Sequence, residues 1–316
     1  MLENKRVLVA GGAGFLGSNL VEKLVDEGFD VSATLHNSPA QIESEHVKWL
    51  QCDLLNKADC LAACKDRDIV FVCAAYTAGA MVIEHSPLKL LTPNLIMNAL
   101  LLEAAYESGV KKVVFVSSNT VYPVAGEAMS EEDVTGEYFH KYHIVASMKA
   151  FSEQICQMYA EKIAKPIDVT VIRPGNMYGP YDDFEWETSH VLPAFIRRVV
   201  ERHNPISVWG DGKDIKDLVY VGDVVDGMIK AAKQCSGYNE YNIASGQGYC
   251  LRELLALLQE IDGYQEADIE YDATKPSMIP KRLININKAK AELGYEPKVS
   301  MREGLAKTLA WYRGSL

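Results

Sequence analysis

The chain has 316 residues, of which 48% are hydrophobic, and this is enough apolar material for one large domain or two coupled domains. Its formal net charge of −11 argues against general affinity for nucleic acid or for anionic membrane surfaces. An anionic substrate could still be held by a local cluster of Arg and Lys.

The N-terminal segment "MLENKRVLVAGG" enters a strand at once, without an apolar stretch long enough for a signal peptide or a spanning helix. The seven cysteines are an odd number, and their spacing does not complete a metal site. We therefore expect a cytoplasmic protein with reduced thiols and no bound metal.

The first half of the chain alternates short apolar runs with helical patterns. "RVLVA" (6–10) ends in glycines, "NLVEKLVDEG" (19–28) has helical periodicity, and "DVSATL" (30–35) predicts a second strand. This unit then repeats, with strands predicted at 68–75, 111–118 and 168–174 and helices at 94–108 and about 144–164. Continuous apolar strands that alternate with helices indicate an α/β fold built on a doubly wound parallel sheet.

The pattern changes after Pro174. Residues 175–215 are rich in Gly, Pro, aromatic and charged residues, as expected of a segment that contacts substrate. One more strand and helix are predicted over 217–232, and amphipathic helices over 249–261 and 300–312. No flexible linker separates the two parts. The predicted boundaries are 1–174 for a dinucleotide-binding domain, with 217–245 returning to it, and 175–316 for a smaller, interwoven α/β substrate lobe.

A glycine-rich turn follows the first strand. "GGAGFLG" places Gly11, Gly14 and Gly17 between a strand and a helix. Glycine permits the tight turn, the approach of a pyrophosphate to the backbone, and close packing of the helix on the sheet. The helix N-terminus then offers free N–H groups to the phosphates. The pattern predicts a dinucleotide-binding loop, which includes Phe15 and Leu16.

The end of the second strand reads "TLHNS" and contains no carboxylate. An acidic residue at this place binds the ribose 2′-OH when the cofactor is NAD. His36, Asn37 and Ser38 could accommodate a 2′-phosphate, so NADP is the predicted cofactor and NAD the alternative. Asp53 and Leu54, in "CDL", are expected near the adenine.

Four motifs together resemble one known family. The glycine loop, "SSNTVY" (117–122), the helical Lys149 and "RPGNMYGP" (173–180) are similar to the extended short-chain dehydrogenase/reductase family, which acts on nucleotide sugars. The subgroup it most resembles is that of the GDP-fucose synthases, which are NADPH-dependent epimerases and reductases of GDP-4-keto-6-deoxymannose. The segments that carry this second similarity are "VFVCAAYTAGA" (70–80), "SHVLPAFIRR" (189–198) and "VWGDGKDIKDLVYVGD" (208–223).

The resemblance implies roles for individual residues. Ser118 stands at the catalytic hydroxyl, Lys149 at the lysine that binds the nicotinamide ribose and lowers the pKa of the neighbouring acid, and His190 at the epimerisation acid. Further cofactor contacts are implied at the ends of strands, namely Ala74, Ala75, Pro174 and Met177. The implied substrate contacts are Asn176 at the sugar or diphosphate, Arg198 and Lys216 at the diphosphate, Arg282 at the nucleotide end, and Trp209, for which packing is the alternative.

Two positions depart from the family pattern. Val145 stands where the catalytic tyrosine is expected, one turn before Lys149, and Thr120 stands where the subgroup has a cysteine base. A valine cannot donate a proton to an alkoxide. A threonine hydroxyl is too weakly acidic to become a base without a strong activator. Thr120 is nevertheless kept among the candidate catalytic residues.

Three explanations of the missing tyrosine stay open. The acid has moved to Tyr142, which shares a helix face with Lys149, or to the nearby His143. Alternatively, His190, Ser118, water or the substrate itself assists the reaction, or the protein binds its ligands without turnover. The intact substrate segment favours an enzyme, and the lack of an obvious base favours redox or single-centre chemistry. We therefore predict an NAD(P)-dependent reductase or epimerase of a GDP-linked 4-keto-6-deoxy sugar, with a non-enzymatic nucleotide-sugar-binding regulator as the alternative.

The segment "NLIMNALLLEAA" carries apolar side chains on more than one helix face. A helix that packs only on a sheet needs one apolar face, so the second face requires another partner. Together with the family resemblance, this predicts a homodimer formed through helices near 94–108 and 147–164.

Overall fold

A computed structural model describes residues 5–77, 86–275 and 279–316. Residues 78–80, the end of the segment "VFVCAAYTAGA", lie outside the described residues. The strands of the largest sheet are β1 (Arg6–Ala10), β2 (Asp30–Leu35), β3 (Val47–Gln51), β4 (Ile69–Val72), β5 (Lys112–Val116), β7 (Asp168–Pro174) and β11 (Tyr238–Ile243). They are all parallel, in the order β11–β7–β5–β4–β1–β2–β3.

The strand order reverses between β1 and β4, as in doubly wound folds, and the predicted fold class is confirmed. Ligands of such sheets bind outside the carboxyl ends of the strands at this reversal. The predicted bounds of β1, β2 and β7 agree with the structure residue for residue. The edge strand β3 was not predicted.

Helices cover both faces of this sheet. On one side Val7 and Val9 pack against Leu20 and Leu24 of the first helix. On the other side Leu8 packs with residues of three further helices. The alternation follows from the pleat of β1, which turns successive side chains to opposite faces. The nine described helices are α1 (Phe15–Asp26), α2 (Lys57–Cys64), α3 (Leu88–Glu107), α4 (His143–Glu161), α5 (Val191–Val200), α6 (Val221–Gln234), α7 (Leu251–Asp262), α8 (Asn287–Leu293) and α9 (Met301–Gly314).

A second sheet and a strand pair form the smaller part of the molecule. β6 (Ala128–Met129), β8 (Asn176–Tyr178), β10 (Ile215–Tyr220), β12 (Gly248–Cys250) and β14 (Lys281–Ile284) make the sheet, and β9 (Ile206–Trp209) pairs with β13 (Ile269–Asp272). A separate apolar cluster joins α5, α7 and α9. The chain passes from the second sheet at β10 back to the large sheet at β11, so the two sheets are interwoven in sequence. The numerical domain boundaries stay a prediction.

All seven cysteines are free thiols, and five of them are buried. Burial raises the pKa of the Cys52 thiol to about 12 and that of Cys60 to about 11. Such thiols stay protonated at neutral pH and act as small apolar side chains.

Helix α3 is, by length and composition, apolar enough to cross a membrane, and in the structure it packs against α2 and α4.

The exposed fractions of Ile96 on α3 and of Phe151 and Met158 on α4 are 43%, 52% and 40%. We expect these side chains to lie in a homodimer interface, since exposed apolar side chains on neighbouring helices suit a partner surface. Light scattering at micromolar concentration should give a dimer for the unaltered chain and a monomer for Phe151→Glu. A monomer in both cases would contradict the interface.

Candidate active site

The glycine loop lies at the carboxyl edge of the large sheet, between β1 and α1. Gly11 has a φ of 86°, which favours glycine, and a Cβ there would lie 2.6 Å from the Ala74 backbone. A Cβ on Gly17 would lie 2.0 Å from the Gly11 oxygen. A Cβ on Gly14 would meet only that oxygen, at 3.4 Å, and otherwise open space. Gly11 and Gly17 therefore shape the turn, while Gly14 leaves room beside it.

The first turn of α1 leaves its N–H groups available to a ligand. Gly14 precedes the helix without capping it, and the first turn, which begins with Phe15 and Leu16, contains no acidic residue. An uncapped helix N-terminus beside an open glycine attracts anions. The residues present therefore fit the pyrophosphate of a dinucleotide.

The end of β2 holds the glycine loop in place. Gly11 N donates to Thr34 Oγ1 at 2.8 Å, and Gly12 N donates to Thr34 O at 3.0 Å. Residues 36–38 follow as an exposed stretch without a carboxylate. Nothing in this stretch would repel a 2′-phosphate.

Two further predicted cofactor segments end at the same edge. Asp53 and Leu54 lie in the turn after β3, where Asp53 Oδ1 accepts a hydrogen bond from Leu55 N at 2.9 Å. One carboxylate oxygen of Asp53 is therefore hydrogen-bonded within the turn that contains Asp53. Ala74 and Ala75 follow shortly after β4, and the Ala74 backbone lies against Gly11 of the glycine loop.

Ser118 and Thr120 lie directly after β5. Ser118 has an extended backbone, and its Oγ accepts hydrogen bonds from Thr120 N at 3.1 Å and from Thr120 Oγ1 at 3.0 Å. A hydroxyl that accepts in this way keeps its own proton for a ligand. Thr120 therefore supports Ser118 as a hydrogen-bond donor, which is a different role from that of a base.

Lys149 reaches from α4 to the end of β5. Its Nζ donates to Val116 O at 2.8 Å and lies 5.3 Å from the centre of the Phe115 ring. Burial lowers the pKa of Lys149 from 10.5 to about 8, against the Glu153 carboxylate, which raises it. The ammonium group is thus bound to the strand residue two positions before Ser118.

A buried arginine, Arg173 at the end of β7, connects several elements behind this site. Its Nε and Nη2 donate to the Glu153 carboxylate at 3.0 and 2.8 Å, and Nη2 also donates to Glu240 at 2.9 Å. Its Nη1 donates to Tyr122 OH at 3.1 Å. The Ser117 hydroxyl donates to Glu153 Oε1. Arg173 therefore fixes Glu153, and Glu153 fixes the end of β5.

Val145 occupies the expected tyrosine position, half-buried and one turn before Lys149. Tyr142 precedes α4, and burial raises its pKa to about 12, while the charge of Arg282 opposes this rise. His143, the first residue of α4, is exposed. The Tyr142 phenol thus interacts electrostatically with an arginine of the second sheet, and it is a poor acid at neutral pH.

The junction between β7 and β8 connects the two sheets. Pro174 ends β7, and its carbonyl accepts a hydrogen bond from Asn119 Nδ2 at 3.0 Å. Asn176 Nδ2 donates to Asp217 O on β10 at 3.1 Å, and Met177 follows within β8. These predicted ligand contacts therefore lie where the chain crosses from one sheet to the other.

The segment that follows is anchored on α9 by aromatic contacts. The Tyr181 ring lies 5.2 Å from that of Trp311, edge to face. The Phe184 ring stacks on that of Tyr312 at 4.3 Å. These contacts pack the run "YDDFEW" (181–186) on the smaller part of the molecule.

The loop contains two acidic residues, Asp182 and Asp183, and the charge of Asp183 acts on His190. Asp182 is buried, its Oδ1 accepts from Asp183 N at 2.8 Å, and its Oδ2 has no hydrogen-bond partner among the described residues. Burial raises the pKa of Asp182 to about 8. Desolvation of the His190 ring at the start of α5 lowers its pKa from the ordinary value of 6.5, and the charge of Asp183 opposes this. At neutral pH, His190 is therefore suited to accept a proton rather than to donate one.

Arg198, expected at the diphosphate, is stacked on an aromatic side chain. Its guanidinium carbon lies 4.9 Å from the centre of the Trp186 ring, and its Nη1 donates to Ala194 O at 3.1 Å. Arg197 lies 4.3 Å from the same ring. Arg198 would have to leave Trp186 to reach a ligand elsewhere.

Lys216 on β10 and Arg282 on β14 are paired residues of adjacent strands. Lys216 Nζ donates to Asp214 Oδ2 at 3.0 Å. Arg282 donates to the carbonyl oxygens of Pro123 and Tyr122 at 2.7 and 3.2 Å, and its buried Nε has no hydrogen-bond partner among the described residues. Burial lowers the pKa of both cations. Two adjacent cations with spare hydrogen-bonding capacity suit an anionic ligand.

The predicted site residues fall into two groups and a remainder. The first group surrounds the end of β5 and consists of Ser118, Thr120 and Lys149. The second lies on the second sheet and consists of Lys216 and Arg282, which Tyr142 faces. In the described part of the chain, no side-chain hydrogen bond joins the other four predicted catalytic and substrate-binding residues to either group: Asn176, His190, Arg198 and Trp209, the last exposed at the end of β9.

Comparisons with known proteins find relatives over nearly the whole chain. The family model described as "NAD dependent epimerase/dehydratase family" matches residues 7–244. GDP-L-fucose synthase 1 of Arabidopsis thaliana is 32% identical, with 98% of this chain and 94% of that protein covered. The UDP-glucose 4-epimerase of Thermotoga maritima with UDP-glucose superposes with a TM-score of 0.88, at 28% identity and with 98% and 99% of the two chains covered. The UDP-glucose 4-epimerase of Thermus thermophilus in complex with NAD gives 0.86, at 28% identity and with 98% and 100% covered.

Proposed function

The chain belongs to the NAD-dependent epimerase/dehydratase family, and from this premise we propose that it is an NADPH-dependent reductase of a GDP-linked 4-keto-6-deoxy sugar. The observation that carries the proposal is that Lys149 Nζ is bound to Val116 O at the end of β5, two residues before the Ser118 hydroxyl. A hydroxyl that can donate and a cation with a lowered pKa are the groups that a ketone reduction needs at its oxygen.

A reduced dinucleotide would supply the hydride. The open side of Gly14 and the N-terminus of α1 would hold its pyrophosphate, and Lys149 would bind the nicotinamide ribose. NADPH is preferred in this proposal because residues 36–38 lack a carboxylate that would repel a 2′-phosphate.

The nucleotide sugar would bind through its diphosphate. Lys216 and Arg282 offer adjacent cationic groups, and a buried guanidinium with an unpartnered N–H gains a hydrogen bond when an anion arrives. The GDP-linked substrate is proposed from the similarity to GDP-L-fucose synthases over nearly the whole chain.

Reduction is favoured over double epimerisation by the hydrogen bonding of Thr120. Abstraction of a proton next to a ketone requires a base, and the Thr120 hydroxyl, which is hydrogen-bonded to Ser118 Oγ, is too weakly acidic to become one without a strong activator. His190, with its lowered pKa, is the one predicted catalytic side chain suited to accept a proton near neutral pH. The lack of a strong base among the predicted catalytic residues supports a redox reaction, or a change at a single carbon atom, over epimerisation at two carbon atoms.

The second candidate is a nucleotide-sugar-binding regulator without turnover. Val145 supports it, since the family tyrosine is absent while the binding residues are present. The two candidates share their ligands and differ only in hydride transfer.

Calorimetry tests both the preference for the guanine nucleotide and the proposed diphosphate site. We expect GDP to bind more tightly than UDP or dTDP, and Lys216→Met to weaken GDP binding by roughly tenfold or more, because a charge-assisted contact is lost. The matched control is Lys213→Met, at an exposed lysine just before β10, which should change little. Equal affinity in both variants, or no GDP binding by the unaltered protein, would contradict the substrate assignment.

A further inference from the structure

Lys149 is an ammonium group without a carboxylate partner. Within residues 5–77, 86–275 and 279–316, no Asp or Glu oxygen lies within ion-pair distance of its Nζ, and its hydrogen bond to Val116 O uses one of three N–H donors. The nearest acid on its own helix, Glu153, is occupied by Arg173 and Ser117. At least one Lys149 proton is therefore available to a ligand.

Val145 is a small, half-buried side chain on the helix face that carries Lys149. Val145, Lys149 and Glu153 are four residues apart in turn and lie on one face of α4. A tyrosine at position 145 would place its ring and hydroxyl between the helix and the ligand, whereas valine ends at its two methyl groups. Valine therefore occupies less of the space one turn before the ammonium group than a tyrosine would.

We propose that Lys149 is itself the proton donor of this site, and that Val145 is the substitution that exposes it to the substrate. This inference rests on the proposed ketone reduction. As the carbonyl carbon gains the hydride, the carbonyl oxygen takes a proton from Lys149 Nζ, directly or through one water, while Ser118 donates a hydrogen bond to the same oxygen. The neutral amine that remains is reprotonated by solvent.

The pKa values of the two candidate proton donors, Lys149 and Tyr142, favour Lys149 as well. Burial lowers the pKa of Lys149 to about 8, whereas it raises that of Tyr142 to about 12. An acid is most effective when its pKa lies near the working pH. The groups that face Lys149 are Glu153 and Cys156 on α4 and Cys73 after β4, and each of them raises its pKa against the larger effect of burial.

Because a proton donor must be protonated to act, the reductase should be active with the Lys149 ammonium and inactive with the neutral amine. The kcat for reduction should be constant below about 8 and fall as the pH rises through the pKa of Lys149. Removing the Glu153 charge should lower that pKa further, so the fall should begin at lower pH. Removing the Glu240 charge should leave the pKa of Lys149, and the pH at which kcat falls, unchanged. Glu240 contacts Arg173 and is not among the groups that act on Lys149.

The first experiment measures the Lys149 pKa without turnover. The unaltered protein is labelled with acetic anhydride between neutral and alkaline pH, and acetylation at Lys149 is quantified by mass spectrometry. We expect a midpoint near 8, a lower midpoint in Glu153→Gln, and an unchanged midpoint in Glu240→Gln. A midpoint near 10.5, the ordinary value for lysine, would overturn the proposal.

The second experiment compares kcat in Lys149→Arg and Tyr142→Phe. Arginine keeps the charge for the nicotinamide ribose but holds its proton too tightly to donate it. We expect kcat to fall by roughly 10²-fold or more in Lys149→Arg, with dinucleotide affinity little changed, and Tyr142→Phe to retain the fall of kcat at alkaline pH. Full kcat in Lys149→Arg, or loss of the alkaline fall in Tyr142→Phe, overturns the inference and leaves the reductase intact. No turnover by the unaltered protein overturns both.

Discussion

Replacing Gly14 with valine is expected to weaken dinucleotide binding by about 100-fold or more while the protein stays folded. A Cβ at Gly14 meets only the Gly11 oxygen, so the added side chain projects into the open space where the pyrophosphate would lie. The φ of −89° at Gly14 is one that valine adopts readily. Fluorescence titration with NADPH and NADH measures the loss, and thermal unfolding checks the fold.

Two other glycines serve as controls for this prediction. Gly126→Val should bind the cofactor normally, because a Cβ at Gly126 meets nothing within 4 Å. Gly17→Ala should damage the turn itself, because its Cβ would lie 2.0 Å from the Gly11 oxygen. An unchanged cofactor titration in Gly14→Val would remove the glycine loop from the binding site.

Replacing Arg173 with methionine is expected to destabilise the protein by about 3–5 kcal/mol, because it leaves the buried Glu153 carboxylate without its bidentate partner. The Arg173 and Glu153 side chains are only 3% and 7% exposed, so water cannot replace the lost contacts. Denaturant unfolding measures the change in the free energy of unfolding. Arg302→Met, which breaks the exposed pair with Glu260, is the matched control and should change little. Equal losses in the two variants would show that Arg173 does not organise the site.

The sequence predicted the parts of the fold that depend on local pattern. β1, β2 and β7 are buried runs of five to seven residues, and their bounds agreed with the structure. β3 was missed because it is an edge strand, in which only Val47 is buried and polar residues interrupt the apolar pattern. The short strands of the second sheet, such as β6 with two residues, give no readable period.

The same distinction applies to the candidate site. The positions of Ser118 and Lys149 followed from motifs within one strand end and one helix. The role of Arg173 did not, because its partners Glu153 and Glu240 lie 20 and 67 residues away along the chain. The stacking of Arg198 on Trp186 was likewise unpredictable, since it depends on how the loop packs on α9. Contacts of this kind are set by tertiary packing, which a single sequence does not specify.

The most direct test of the proposed reductase is the transfer of a labelled hydride. The protein is mixed with NADPH that carries deuterium at the transferable position of nicotinamide C4 and with GDP-, UDP- or dTDP-linked 4-keto-6-deoxy sugars, and the products are analysed by mass spectrometry and NMR. We expect deuterium at C4 of the GDP-linked sugar, at a greater rate than with labelled NADH. If no sugar acquires deuterium although the dinucleotide and the nucleotide sugar both bind, the protein is a nucleotide-sugar-binding regulator and not a reductase.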